Sequence, residues 1–373
     1  MENQIKNAVA HFEKLLREQI VRAQNLNAAK KQKDENKTVI GLIDGDGIGP
    51  IIMAEAKRAL EKLLADEINA GAIELRVIEG LTIENRLALG QAVPDDVMAA
   101  IKECDVLLKG PTTTPSGGKM ESANVSLRRA LDLYANVRPV CVPEENIDWT
   151  FFRENTEGEY TLGSRGIEIS DTLTMDFKVT TVEGTRRIAR SAFEFAKKNG
   201  KTHVAIVTKS NIMKKTDGLF SAICHEVAAE YPDIQADEYY IDIMSANLVN
   251  KQIRSNFQVF VLPNLYGDII TDEAAQIQGG VGTAGSANTG SEYAMFEAIH
   301  GSAPRLIAEG LGDYANPESI LTAACMLLRH IGMAEKAEKL TAAIQYARSE
   351  KPVDASIPGN TCQAFGDTLL TRL

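Results

Sequence analysis

The chain has 373 residues, 44% of them hydrophobic, enough for sizeable cores and about two domains. Its net charge of -11 argues against a general nucleic-acid binder, and no run reaches the roughly 18 apolar residues of a membrane span. Cys104, Cys141, Cys224, Cys325 and Cys362 are scattered, form no Cys-x-x-Cys pair and fit free thiols in a reducing compartment. The first residues mix acids and bases without an apolar signal core, so a cytoplasmic protein is expected. An acidic chain that binds an anion must gather its arginines locally.

Ile5, Val9, Phe12, Leu16 and Ile20 recur at helical spacing, which predicts a helix to about residue 30 with one apolar stripe. That stripe must pack on the body of the protein or on another subunit. Ala28 to Lys37 is a polar linker. Thr38 to Ile43 is a short strand running into Asp44-Gly45-Asp46-Gly47-Ile48-Gly49-Pro50 and an amphipathic helix through Leu64. The glycines suggest a Rossmann fingerprint, but its third glycine position is held by Pro50 and no acid ends a clear second strand. The unit is strand–turn–helix, without a Rossmann nucleotide cradle.

Strands over Glu74–Ile78 and Asp105–Lys109 alternate with a helix over Asp95–Glu103, which indicates layered α/β structure and a mostly parallel sheet. A Gly/Pro/Thr-rich loop, residues 110–121, leads into Ser122-Ala123-Asn124-Val125-Ser126-Leu127-Arg128. Arg128, Arg138 and Arg153, with Ser122 and Asn124, suit a small polycarboxylate, because a guanidinium pairs bidentately with carboxylate. Taken singly, each arginine fits an ordinary surface ion pair. Residues 160–182 alternate polar and apolar, as hairpins exposed on one side or a clasp between subunits would. A helix over Glu183–Lys198 and a strand over His203–Val207 follow, then Lys209 and Asn211, and a strand ending at Asp242.

Val259 to Leu262 is a buried strand, broken by Pro263 and Asn264. If a helix begins near Gly267, Asp268 and Asp272 project from one face, one turn apart. Two like charges so placed repel unless a cation lies between them, and oxygen-only ligands suit Mg²⁺ or Mn²⁺. On spacing alone, a solvated acidic helix start is the commoner explanation. Gly279 to Ser286 is glycine-rich and flexible, His300-Gly301-Ser302-Ala303-Pro304 forms a turn, and a long helix spans Glu318–His330.

Five motifs in this order resemble the β-decarboxylating dehydrogenases, the isocitrate and isopropylmalate dehydrogenase family. They are Gly-Asp-Gly-Ile-Gly-Pro at 45–50, Asp-Leu-Tyr-Ala-Asn-Val-Arg-Pro at 132–139, Phe-Arg-Glu-Asn at 152–155, Asn-Leu-Tyr-Gly-Asp-Ile-Ile-Thr-Asp at 264–272 and His-Gly-Ser-Ala-Pro at 300–304. The resemblance covers residues 38–373. It implies a two-domain layered α/β fold of the isopropylmalate-dehydrogenase type, with a mixed, mostly parallel sheet and no Rossmann site. Residues 1–36 would be a helical extension and linker, 37–133 with 280–373 a large domain carrying the nucleotide loop, and 134–279 a small domain with a dimer clasp around 160–182.

The resemblance also implies roles. Asp242, Asp268 and Asp272 would hold Mg²⁺ or Mn²⁺, one of them reaching across a dimer. Lys209 would remove the substrate's hydroxyl proton and Tyr160 protonate the enolate carbon. Arg128, Arg138 and Arg153 would grip carboxylates, with Ser122 and Asn124 on the distal one. Isopropylmalate enzymes carry apolar residues on that helix face, so isocitrate is the implied substrate; homoisocitrate and isopropylmalate are the alternatives within the family. Lys109, Thr113 and Thr114 would border the nicotinamide, and His300, Gly301, Ser302 and Ala303 with Asn316 the adenosine. Asn211, beside the base, would also face the cofactor. Arg305 replaces the acid usual in NAD enzymes and could meet the 2′-phosphate of NADP, yet the tail from Pro352 lacks the Tyr and Arg of NADP enzymes and favours NAD. Lys209 and Asp242 would enter a partner's site, so a homodimer is the least assembly, larger if residues 1–30 also pair. A non-catalytic regulatory subunit is the rival of another class; such subunits lose the acid, base or metal ligands that this chain keeps.

Overall fold

A computed structural model of the chain describes residues 2–24, 37–115, 120–163 and 165–373. The linker expected over Ala28–Lys37 lies, apart from Lys37, outside the described residues, as do residues 116–119 of the Gly/Pro/Thr loop. Twelve strands occur in chain order among the described residues: β1 (Thr38–Ile43), β2 (Ile73–Val77), β3 (Val106–Lys109), β4 (Ala135–Val142), β5 (Ile147–Glu154) and β6 (Ile167–Ser170), then β7 (Leu173–Met175), β8 (His203–Thr208), β9 (Gln235–Tyr240), β10 (Val259–Leu262), β11 (Gly285–Thr289) and β12 (Ala294–Ala298). The chain divides into two compact units. One holds the N-terminal helix, Tyr134–Asn136 and Cys141–Glu273; the other runs from β1 to Leu133 and adds Val137–Val140 and Ala274–Leu373. Strand β4 is shared between them.

In the second unit the strand order is β2-β1-β3-β12-β11. The first four are parallel and β11 is antiparallel to β12, so the sheet is mixed but mostly parallel. Apolar side chains cover both faces, as a parallel sheet requires. One face, with Ile40, Leu42 and Phe296, packs under helices Gly49–Leu63 and Glu318–His330. The other, with Ile43, Leu107 and Met295, packs under helices Asp95–Lys102 and Ala123–Ala130. Strands β11 and β12 are absent from the expected elements, although β12 coincides with the short apolar run Ala294–Ala298. Gly279 to Ser286 read as flexible because its glycines hide the start of β11.

The glycine turn after β1 is shaped by packing within this unit. Gly47 has φ +60°, and a Cβ there would lie 2.0 Å from the Ser302 carbonyl oxygen. Ile48 N–H donates to that same oxygen at 3.0 Å. The loop is therefore locked to the 300–304 turn rather than shaped as a Rossmann cradle.

The first unit stacks β5-β10-β8-β9, all parallel. Phe151 and Phe260 stack at 4.2 Å in its core, with Trp149 edge-on to both. Strands β6 and β7 form a separate antiparallel hairpin. The N-terminal helix runs over Glu2–Gln24 and belongs to this unit. Its apolar stripe packs only in part on the body, through Phe12, whose ring lies 5.2 Å from that of Phe177. Ile5, Val9, Phe12, Leu16 and Ile20 are 41–59% exposed, and with Ile167, Met175 and Phe177 several of them line an open apolar groove. The helix docks mainly by its polar side: the His11 ring lies 3.1 Å from the Arg165 carbonyl, Glu18 pairs with Arg165 at 2.6 Å and Arg22 with Glu157 at 2.9 Å, around a buried Leu15.

Candidate active site

In the second unit a polar pocket of about 100 Å³ is lined by Thr112, Asn124, Arg128, Arg138, Glu297 and His300, among others. Helix Ala123–Ala130 presents Asn124 and Arg128 one turn apart, and Thr112 donates to the Asn124 side-chain oxygen at 3.1 Å. Arg128 reaches Glu297 at 3.1 Å, while its buried Nε has no hydrogen-bond partner among the described residues. Such a donor is an open position for an anion. Ser122, at the start of the same helix, is half-buried and is not among the residues lining the pocket.

Glu297 is the centre of this arrangement. It also takes Lys109 at 3.0 Å and an N–H of Asn288 at 2.8 Å. Burial alone would raise its pKa, but the Lys109 and Arg128 charges with hydrogen bonds from Lys109 and Asn288 outweigh it and hold the carboxyl at about 2. Lys109 is fully buried, bonded to Glu297 and to the Gly110 carbonyl. It therefore sets the charge of the pocket from behind and exposes no surface of its own. Sequence reasoning missed Glu297. The available signal was a lone acid inside the apolar run Ala294-Met295-Phe296-Glu297-Ala298, which demands a buried partner.

The residues expected at the nucleotide are arranged around the same unit's loops. Thr113 donates its N–H to Asp46 at 2.7 Å and shares a hydroxyl contact with Ser302 at 2.7 Å. Asp46 also accepts from Ile83 N–H, and Arg86, wholly buried, donates to the Thr113 carbonyl. Asp46 and Arg86 are thus supports that the failed fingerprint concealed. Thr114 and Gly301 are exposed, and Ala303 sits at φ +44°, a conformation L-residues rarely hold. Burial pulls the His300 pKa below its usual value, so the ring is neutral at pH 7. Arg305 is exposed and tied to Glu309 at 2.6 Å on its own helix. Asn316 caps the start of helix Glu318–His330 by accepting from Glu318 N–H at 3.0 Å.

The first unit gathers a different set. Helix Asn264–Gln278 begins one turn earlier than the glycine suggested, and it carries both Asp268 and Asp272. Arg153, at the end of β5, crosses this helix so closely that a Cβ on Gly267 would meet its side chain at 2.4 Å. Its guanidinium is held by the Asn264 side-chain oxygen at 2.6 Å and reaches Asp268 at 2.6 Å. Tyr160 donates its hydroxyl to the other Asp268 oxygen at 2.7 Å. A phenol, a guanidinium and a carboxylate thus meet at one point.

Lys209 and Asp242 meet elsewhere on this unit, at 2.5 Å. Asp242 lies in the first turn of helix Ile241–Val249, and the Lys209 hydrogen bond lowers its pKa. The Lys209 backbone is fixed by buried Asp217, which accepts its N–H at 2.8 Å and pairs with Lys178 at 2.5 Å. Asn211 is exposed in the turn that follows. Among the described residues no three acidic, His or Cys side chains form one metal-binding group. Asp268 and Asp272 are an oxygen-only pair of the kind Mg²⁺ and Mn²⁺ favour, and Asp242 is not grouped with them within one chain.

Residues 39–369 match the isocitrate/isopropylmalate dehydrogenase family. The chain belongs to that family. It is 41% identical over 307 residues to an isocitrate dehydrogenase [NADP] of Rickettsia prowazekii, covering 80% of this chain and 60% of the relative. The chain thus spans about 60% of the length of that protein and of its Rickettsia counterparts. A Caenorhabditis elegans protein named probable isocitrate dehydrogenase [NAD] subunit alpha is 37% identical over 344 residues, 90% of this chain and 92% of the relative. Among solved structures, isocitrate dehydrogenase from Methylococcus capsulatus superposes with a TM-score of 0.78 at 32% identity, covering 90% of this chain and 99% of that one. The fold of this family member is accordingly the mixed, mostly parallel α/β type described above.

Proposed function

We propose that the chain oxidises isocitrate and removes carbon dioxide from it, yielding 2-oxoglutarate, with NAD or NADP as hydride acceptor. The observation that carries this reading is the pocket around Arg128, where Asn124, Thr112 and a buried, unpartnered Nε offer polar contacts to a carboxylate. An isopropyl group would leave those groups unsatisfied, at a cost of several kcal/mol of discrimination. Arg138 and Arg153 are the remaining carboxylate partners in the reading. Lys209 takes the hydroxyl proton as hydride leaves the carbinol carbon. Carbon dioxide then departs with the β-carboxyl carbon, and Tyr160 delivers a proton to the carbon left behind.

A divalent cation held by Asp268 and Asp272 would supply Lewis-acid polarisation of the substrate's hydroxyl, later keto, oxygen. In the reading, Asp242 of a second copy completes the ligands, so the working unit is at least a homodimer. The outward apolar stripe of the N-terminal helix supports further pairing of copies. NAD is the favoured acceptor, since Arg305 is engaged by Glu309 and residues 352–361 offer no second cation for a 2′-phosphate.

Turnover on isocitrate, homoisocitrate, isopropylmalate and malate, each with Mg²⁺ and with either nicotinamide, tests the proposal. Isocitrate should exceed the others by at least about tenfold in kcat/KM. Preference for isopropylmalate would overturn the substrate; reduction of neither cofactor on any acid would favour a regulatory subunit.

A further inference from the structure

The N-terminal helix lies outside the residues that match the family, yet it bonds to the segment that carries Tyr160. That segment leaves β5 at Glu154 and reaches Tyr160 in six residues. Glu154 and Glu157 are both buried within it. Glu154 is met by the N–H groups of Thr156 and Glu157, at 3.0 and 2.6 Å. Glu157 accepts from the Thr181 N–H at 2.8 Å and the Thr181 hydroxyl at 2.6 Å, and it pairs with Arg22 at 2.9 Å. A carboxylate buried as Glu157 is needs a cation to offset its charge, and Arg22 supplies one, which holds the loop in this shape.

The loop is also wired to the site. The Glu157 carbonyl accepts from the Asn264 side-chain amide at 3.0 Å. The oxygen of that same amide holds Arg153, which reaches Asp268, the carboxylate that orients the Tyr160 hydroxyl. An unbroken chain of hydrogen bonds therefore runs from the helix to the proposed acid.

We propose that Arg22 is a positioning residue for the active site: by pairing with Glu157 it fixes the loop that presents Tyr160 and steadies Asn264 beneath Arg153. The N-terminal helix is then a working part of the site. This rests on the acid role proposed for Tyr160.

The test compares R22A, R22K, E157Q and the double variant R22A/E157Q in the full chain. Turnover is read with isocitrate, Mg²⁺ and NAD, and hydrogen exchange is read over residues 155–163 without substrate. R22A should lower kcat about tenfold with the nicotinamide KM unchanged, and R22K should recover most of it. Exchange over 155–163 should quicken in R22A. In the E157Q background, removing Arg22 should change kcat by less than about twofold, because the charge it answers is gone. E18A, which removes the helix's ion pair with Arg165 without touching Glu157, is expected to keep the parental kcat. Should R22A fail to fold, R22Q is read in its place.

Unchanged kcat and exchange in R22A, equal losses in both backgrounds, or an equal loss in E18A would overturn the proposal. A parent chain inactive on every acid would defeat the proposed function alone, since the exchange measurement still decides the role of Arg22.

Discussion

The polar pocket around Glu297 and the acid–base group around Asp268 and Lys209 solve opposite problems. In the pocket, two cations and one carboxylate are buried together, so the site keeps a net positive charge inside an acidic protein. Its geometry is fixed before any ligand arrives, which lowers the ordering cost of binding. In the other unit the groups proposed for proton transfer meet carboxylates at partly exposed positions, Tyr160 with Asp268, which Arg153 also holds, and Lys209 with Asp242. Those pairs hold the proton donors and acceptors in reach but must exchange partners to react. In the proposed function, the binding pocket is built rigid and the acid–base pairs are built exchangeable.

That contrast can be broken at its reactive side first. Tyr160→Phe and Lys209→Met should each cost about 10²–10⁴ in kcat while the fold survives, because neither side chain supports the core. Circular dichroism checks the fold and steady-state turnover the loss; a Lys209→Met enzyme with a tenth of parental kcat would deny Lys209 its role.

The pocket should fail in the other currency. Glu297→Gln leaves Lys109 and Arg128 buried without their carboxylate, and should lower unfolding stability by about 3–5 kcal/mol in urea. A loss below about 1 kcal/mol would mean that water reaches the pair and the pocket is not preformed.

Glu154 sharpens the comparison further. Burial, then the Glu157 charge, pushes its pKa up to about 7 from 4.5. The folded chain therefore keeps a proton that the unfolded chain gives up, so this group's contribution is present below about pH 4.5 and lost as pH rises through about 7. The loss should reach up to about 3 kcal/mol. Glu154→Gln should remove that slope, seen as a smaller fall in Tm across the window; identical pH profiles for the two chains would contradict the assignment.

The smallest effect is expected at the N-terminal helix. Leu16→Ser with Ile20→Ser should leave turnover near the parental value but reduce any assembly beyond a dimer, as light scattering would show. An unchanged mass would remove the stripe from the assembly account.

Much of the candidate site is legible in the sequence because its proposed residues sit in short contiguous motifs. Asp268 and Asp272 are visible as a helical pair, and Asn264 opens the same stretch. What binds them is not visible: Arg153 meets Asp268 from another strand, more than a hundred residues away in the chain. The strands were legible where apolar runs were unbroken, as at Val259–Leu262, and illegible at Gly285–Thr289, where small residues pack without an apolar signal. The stripe from Ile5 to Ile20 shows the limit of periodicity. It placed the helix over Glu2–Gln24, but a hydrophobic face does not say which body it faces, and here the polar side makes the attachment together with Phe12 from the stripe.

The central claim, that Lys209 and Tyr160 act on a substrate that loses a carboxyl group, is tested most directly by running the reaction in D₂O and examining the product by NMR. The account predicts carbon dioxide release matched one to one with nicotinamide reduction, and one deuterium on the carbon that lost its carboxyl group. Nicotinamide reduction without carbon dioxide release would contradict it.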